Sequence, residues 1–322
     1  RPMSIESIPP VLLPPIIFTG LLLTLWTYKC IMTVIFQEKI IYMPYMPPFA
    51  RSEEMADYAP RCKPVEWREE RIRSIDGMRI SLCIGHIPER SEQQKKDVVI
   101  CYFQGNGSSP PPRMPLLSQV LRLIHASGDV HCTVVALSYR GYWKSSGRAS
   151  QKGIELDAQA TLKWVAASFT DSHLFLWGQS IGAGIASTAA AHHVSTQRTP
   201  LIAGLVMETP FTSIKSMLMA LYPQKWLPYR YLHPFLRNHW DSEVALRTIA
   251  ATGKTSLRVL LMNASRDEVV PAEEIHKLGQ ICKDLGLLYE RKTVLGALHT
   301  EATARIEGQH AVADFVRRAV DG

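Results

Sequence analysis

Two hydrophobic regimes divide the chain. From Ser7 to Tyr28 there is no charged residue, and after Lys29 the apolar character resumes through Cys30-Ile31-Met32-Thr33-Val34-Ile35-Phe36. Roughly 20 apolar residues are enough for a helix to cross a bilayer. Pro14 and Pro15 are tolerated in a first helical turn, so Ile16 to Phe36 reads as a membrane helix with Trp26, Tyr28 and Lys29 suited to neighbours or an interface. A re-entrant or surface-lying anchor fits the same composition. A secretory signal fits poorly, because Arg1 is the sole basic residue before the apolar stretch and no clear small-residue cleavage site follows. Residues 1–40 are thus expected to be a membrane anchor. Residues 41–59, broken by Pro44, Pro47 and Pro48, are expected to be a linker.

The second regime, residues 60–322, is periodic in another way. Val65 to Ile75 and Met78 to Ile87 alternate about Asp76-Gly77, which predicts a β-hairpin. Short apolar runs then recur at 97–103, 132–139, 174–177, 201–207, 257–262 and 289–295, each suited to a buried strand. Helical patterns at 114–126, 153–167, 181–191, 272–285 and 302–320 lie between or after them. Alternation of this kind predicts an α/β fold, a mainly parallel sheet covered by helices on both faces, with its site at the carboxyl ends of the strands. One segment breaks the rhythm. About residues 211–250, rich in Met217, Met219, Trp226, Tyr229, Phe235 and Trp240, read either as a lid over that edge or as ordinary helix packing.

Composition narrows the classes. The 322 residues are 46% hydrophobic, enough to bury a large core. The net charge of +7 arises from Lys and Arg spread among acids, as in Arg68-Glu69-Glu70-Arg71, and not from a basic block with interleaved aromatics. That suits a solvated surface facing anionic lipid better than nucleic acid. Six cysteines without C-x-x-C spacing argue against a zinc site or a disulfide framework, and no cofactor or metal is expected.

The chemistry begins at Gly178-Gln179-Ser180-Ile181-Gly182, between the apolar run 173–177 and the small residues 183–187. Strand, tight turn and helix start would hold Ser180 in a strained geometry with its hydroxyl over the strand end, although a plain Gly/Ser turn fits the pentapeptide alone. A serine hydroxyl needs a base, and the base needs a group to fix its tautomer. Asp267 lies in the loop after the 257–262 strand and His299 in the loop after the last one, in the order Ser, Asp, His. The other histidines weighed, on helices (His125, His192, His193, His310), before a strand (His131) or in the lid (His233, His239), lack that placement. Glu208 is a possible substitute acid, while Glu268 should point away in an extended turn. The candidate catalytic set is Ser180, Asp267 and His299. Oxyanion donors are expected from the Ile181 amide, at a helix N-terminus, and from Asn106 in Gln104-Gly105-Asn106-Gly107, which also reads as a simple turn.

With these residues the chain resembles the α/β-hydrolase superfamily. It is similar more narrowly to the membrane-associated eukaryotic abhydrolase-domain proteins that include the fungal bud-emergence-type hydrolases. The likeness runs from about 36 to 318 and rests on Ile41-Tyr42-Met43-Pro44, Tyr139-Arg140-Gly141-Tyr142, Ser145-Ser146-Gly147 and Gly153-Ile154 with Asp157-Ala158. It rests equally on the serine motif, Glu208-Thr209-Pro210-Phe211-Thr212-Ser213, Ser265-Arg266-Asp267 and Leu298-His299-Thr300. The resemblance implies a serine hydrolase acting on lysophospholipids, monoacylglycerols or protein-bound palmitate. Where the family often has His-Gly-Asn, this chain has Gln104-Gly105-Asn106, a departure that the backbone amides tolerate. The sequons at Asn106 and Asn263 fall at the expected active edge, so they are unused or the domain faces the cytosol. The expected localisation is an endomembrane or plasma membrane. A non-catalytic membrane scaffold serving cell polarity is the alternative from another class, and a soluble peptidase of the same fold is disfavoured by the apolar N-terminus.

Overall fold

A computed structural model describes residues 9–88, 95–126, 128–253 and 257–321. Residues 1–8 of the expected anchor lie outside the described residues. The chain opens with helix α1 (Leu13–Ile35), the short α2 (Gln37–Tyr42) and α3 (Met55–Cys62). A hairpin of β1 (Glu66–Arg73) and β2 (Arg79–His86) follows, turning on Gly77 at φ 83°. Then come β3 (Lys96–Phe103), α4 (Met114–His125), β4 (Val130–Ser138), α5 (Gln151–Ser168), β5 (His173–Gln179), α6 (Ile181–Ser195) and β6 (Ile202–Glu208). After α7 (Ile214–Leu221) and α8 (Ser242–Ala251), the chain closes with β7 (Arg258–Ala264), α9 (Ala272–Asp284), β8 (Leu288–Val294) and α10 (Ile306–Asp321).

The strands form one eight-stranded sheet in the order β1-β2-β4-β3-β5-β6-β7-β8. The β1–β2 and β2–β4 pairs are antiparallel, and every later pair is parallel. The central strands are apolar throughout because both faces are covered. In β3, Val98, Ile100 and Tyr102 pack with α4 and α10, while Val99, Cys101 and Phe103 pack with α5, α6, α8 and α9. The chain order reverses on either side of β3, which opens a crevice at the carboxyl ends of β3 and β5.

Two segments differ from simple expectations. The 41–59 stretch lies against the domain. Tyr42 is fully buried, its hydroxyl donating to Asn238 Oδ1 (2.8 Å) and accepting from Trp240 Nε1 (2.9 Å), and Tyr142 Oη donates to its carbonyl. The 211–250 insertion divides in two. Its second part packs in the core, with Trp240, Leu246 and Ile249 buried and Trp240 Cβ only 2.9 Å from where a Cβ on Gly184 would sit. Its first part, α7 and the 3-10 turns at Pro228–Phe235, caps the sheet edge and touches α1. The insertion thus divides between a half that packs in the core and a half that lies against α1.

Candidate active site

The end of β5 turns sharply into α6 at Ser180, whose φ of 54° and ψ of −121° are strained for a residue with a side chain. The neighbours must be glycine. A Cβ on Gly178 would lie 2.5 Å from Ala183 Cα, and one on Gly182 would lie 2.6 Å from the Gln104 carbonyl oxygen. The turn is held from below by the Ser180 amide, which donates to the Glu208 carbonyl (2.8 Å). The hydroxyl is thereby raised over the sheet edge.

His299 arrives on the loop after β8 and Asp267 on the loop after β7. His299 Nε2 is 2.9 Å from Ser180 Oγ, and its Nδ1 is 2.9 and 3.0 Å from the two Asp267 oxygens. With Nδ1–H donating to the carboxylate, Nε2 is free to accept the serine proton. Asp267 Oδ1 also accepts the amides of Val269 (2.9 Å) and Val270 (2.7 Å). Burial alone would raise this carboxyl, but the bond from His299 and those two amides outweigh it and hold it below the usual carboxylate range. The site thus aligns a hydroxyl, a basic nitrogen and a fixed charge.

The tight turn that Asp267 makes with Val269 and Val270 also redirects its neighbour. Glu268 was expected to point away, yet its Oε2 accepts the backbone amide of His299 at 2.9 Å. An extended strand exit would have sent it outward, but the turn curls it under the histidine loop. Glu208 takes a different post. It is fully buried, accepts from Trp177 Nε1 (3.0 Å), Thr303 N (3.1 Å) and Thr303 Oγ1 (2.7 Å), and burial pushes its carboxyl up. Its oxygens are committed to Trp177 and to Thr303, four residues past His299, so it is no rival to Asp267 at the imidazole.

Across from the helix start runs the loop after β3. A Cβ on Gly105 would stand in ordinary contact with Ser180 Cβ, at 3.6 Å, so the loop passes beside the hydroxyl-bearing side chain. Asn106 shares a cavity wall with Ser180 and Ile181. The Ile181 amide opens α6, where orphan N–H groups and the helix dipole favour negative charge. Gln104 stabilises the loop internally: Nε2 donates to the Gly107 carbonyl (3.2 Å) and its own carbonyl accepts Tyr139 Oη (2.8 Å). The loop is also tied to the last residue of α2 and to the segment after it. Gly107 N donates to the Tyr42 carbonyl (2.8 Å) and Ser108 N to that of Met46 (2.5 Å). Sequence reading missed this buttress; the one signal for it was the Ile41-Tyr42-Met43-Pro44 run. Arg140 is structural by contrast, its guanidinium bound to Asp157 (2.7 Å) and Asp76 (2.8 Å).

The cavity beside Ser180 has a volume of about 240 Å³. Its walls are mostly apolar: Ile181, Phe211, Val269 and Val270 near the hydroxyl, Ile214, Met217, Leu218 and Leu221 from α7, and Thr33, Gln37, Ile40 and Ile41 from α1 and α2.

Known proteins bear on this arrangement. A family model described as the alpha/beta hydrolase fold matches residues 98–258, half of the chain, including Ser180 but ending before Asp267 and His299. Protein bem46 of Schizosaccharomyces pombe is 25% identical over 77% of this chain and 75% of its own length. The alpha/beta hydrolase domain-containing protein WAV2 of Arabidopsis thaliana is 28% identical over 74% of this chain and 73% of its own. The lysophosphatidylserine lipase ABHD12 of Danio rerio is 30% identical over 58% of this chain and 47% of that protein. Among solved structures, an alpha-beta hydrolase from Vibrio vulnificus superposes with a TM-score of 0.66 at 19% identity, covering 88% of this chain and 92% of that one. The esterase Pf2001 of Pyrococcus furiosus does so with a TM-score of 0.55 at 20% identity over 83% and 94%, a likeness of fold. Strand order, serine turn and family match agree, and the chain belongs to the α/β-hydrolase family.

Proposed function

We propose that the protein is a membrane-anchored serine hydrolase that cleaves acyl esters or thioesters through an acyl-serine intermediate. The observation that carries this reading is the hydrogen-bonded line Ser180–His299–Asp267 opening into an apolar cavity. His299 Nε2 takes the Ser180 proton as Oγ attacks the acyl carbonyl. The amides of Ile181 and Asn106 receive the developing oxyanion, and the imidazolium hands its proton to the leaving alcohol or thiol. Water, deprotonated by the same nitrogen, then releases the acid and restores Ser180.

The cavity favours an acyl chain over a peptide, because its walls offer few polar partners. The name of the Danio rerio relative supports a lysophospholipid among the candidates, with monoacylglycerols and palmitoylated proteins as the other members of the class. Helix α1 is long and apolar enough to cross a membrane and buries none of its residues in the protein, which supports the anchor.

The test is a nitrophenyl ester series on full-length protein in detergent, beside labelling with a fluorophosphonate probe. Each methylene that leaves water for this cavity is worth up to about 0.8 kcal/mol, a factor of about four in kcat/KM. We expect kcat/KM to climb from acetate to octanoate, and labelling to vanish in Ser180→Ala. A well-folded protein that neither labels nor turns over any ester would point to the scaffold alternative instead. A preference for acetate would remove the lipid substrate.

A further inference from the structure

We propose that the cap formed by α7, the 228–235 turns and the 222–227 link between them is a membrane-interface element, so that an acyl chain passes from the leaflet into the cavity beside α1 without crossing bulk water. This rests on the anchored-hydrolase reading and adds where the bilayer must lie.

The reasoning is metric. The apolar helix runs from Pro10 and rises about 1.5 Å per residue, so the roughly 30 Å of a hydrocarbon core consumes about 20 residues and ends near Lys29. The cap already holds the helix before that point. The rings of Trp26 and Trp226 are 5.9 Å apart, and Lys29 Nζ is 5.2 Å from the centre of the Tyr229 ring. Further along, Gln37 Nε2 donates to the Phe235 carbonyl (3.0 Å), Arg237 N to Gln37 Oε1 (2.7 Å), and the Arg237 guanidinium to the Ile35 carbonyl (3.1 Å). A helix clasped over this length cannot span the core while the cap stands clear in water. The tip at Trp226 reaches at least the headgroup boundary.

The exposed side chains of the cap suit that position. Trp226 is 68% exposed and Tyr231 54%, the two aromatic types that settle at the boundary between headgroups and hydrocarbon, and Phe235 at 60% adds apolar surface suited to the acyl side of it. Left in water they would form an exposed apolar surface. Arg230 does not offset them, because its guanidinium is spent on the carbonyls of Met219, Tyr222 and Pro223. The cavity lies just beyond: Thr33 is one helical turn past Lys29, and faces α7 residues Leu218 and Leu221 across it. The wall of the acyl site is continuous with the helix that enters the bilayer.

The experiment uses full-length protein in phosphatidylcholine vesicles. Trp226, Tyr231 and Phe235 do not line the cavity. The triple variant Trp226→Ser, Tyr231→Ser, Phe235→Ser should lose about tenfold or more on a long-chain ester carried in the vesicle, and keep its rate on soluble butyrate ester within about twofold. In parallel, brominated lipid should quench the fluorescence that distinguishes wild type from Trp226→Phe. Unchanged vesicle turnover in the triple variant, or a Trp226 signal untouched by brominated lipid, overturns the proposal. A triple variant that loses both activities has lost its fold, and the Trp226→Phe difference then decides. A wild type that hydrolyses neither ester while Trp226 is quenched would sink the catalytic reading and leave the interfacial cap standing.

Discussion

Replacing Ser180 by alanine should lower kcat on any ester the protein turns over by about ten-thousandfold or more, with KM little changed. On the proposed mechanism the step lost is covalent: without Oγ no acyl-enzyme can form, and what would remain is the contribution of oxyanion donors and binding. The effect of His299→Ala should be of the same order. The double variant should be scarcely worse than either, because the two side chains act as one unit across a 2.9 Å bond. Asp267→Asn tests the third member differently. An amide accepts the Val269 and Val270 amides as before, but its NH2 group can turn to the imidazole and force the proton to Nε2, facing the serine. A loss of about ten-thousandfold in kcat with intact folding is expected there too. Single-turnover kinetics on the octanoate ester measures all four. A Ser180→Ala protein within tenfold of wild type would refute the assignment of the nucleophile.

The second large effect is on stability. A fragment of residues 60–322, which the sequence alone recommends as the soluble domain, should fold poorly. It lacks Tyr42, whose ring is fully buried and whose hydroxyl and carbonyl serve Asn238, Trp240, Tyr142 and Gly107. Deleting a buried aromatic costs about 3–5 kcal/mol, and each polar partner left dry adds about 1–3 kcal/mol. Against a total stability of about 5–15 kcal/mol, a melting temperature lower by about 10 °C or more is expected, with loss of any soluble-ester turnover as the 104–108 loop loosens. A fragment of residues 37–322 keeps α2 and Tyr42, although it removes Thr33 from the cavity wall, and should melt well above the shorter fragment. Thermal unfolding of the two fragments followed by circular dichroism gives the answer. Equal melting temperatures would show that the 41–59 segment is dispensable.

The parts that were legible in the sequence share a cause. The strands and most helices are written in local periodicity, and the serine, aspartate and histidine each sit in the loop or turn that follows one of the strand-like runs, so strand ends could be placed without knowing what packs on them. The parts that were not legible depend on distant partners. Pro44, Pro47 and Pro48 signal a break in the helix, but nothing near them announces that Tyr42 will meet Asn238 and Trp240, nearly 200 residues away. Glu268 turned inward because Asp267 captures two amides of its own loop, a matter of turn geometry and not of polarity. The large apolar residues of the insertion were ambiguous for the same reason: Trp240 packs against Gly184 in the core while Trp226 stands exposed against Trp26, and composition does not separate them.

The apolar cavity walled in part by α1 and α2 has a practical corollary for handling the protein. On the proposed reading, an alkyl detergent used to solubilise α1 brings a chain of the kind the cavity suits, so the solubilising agent would compete with an acyl substrate. Apparent KM should track detergent concentration while kcat holds steady, and affinities measured in micelles will understate those in a bilayer.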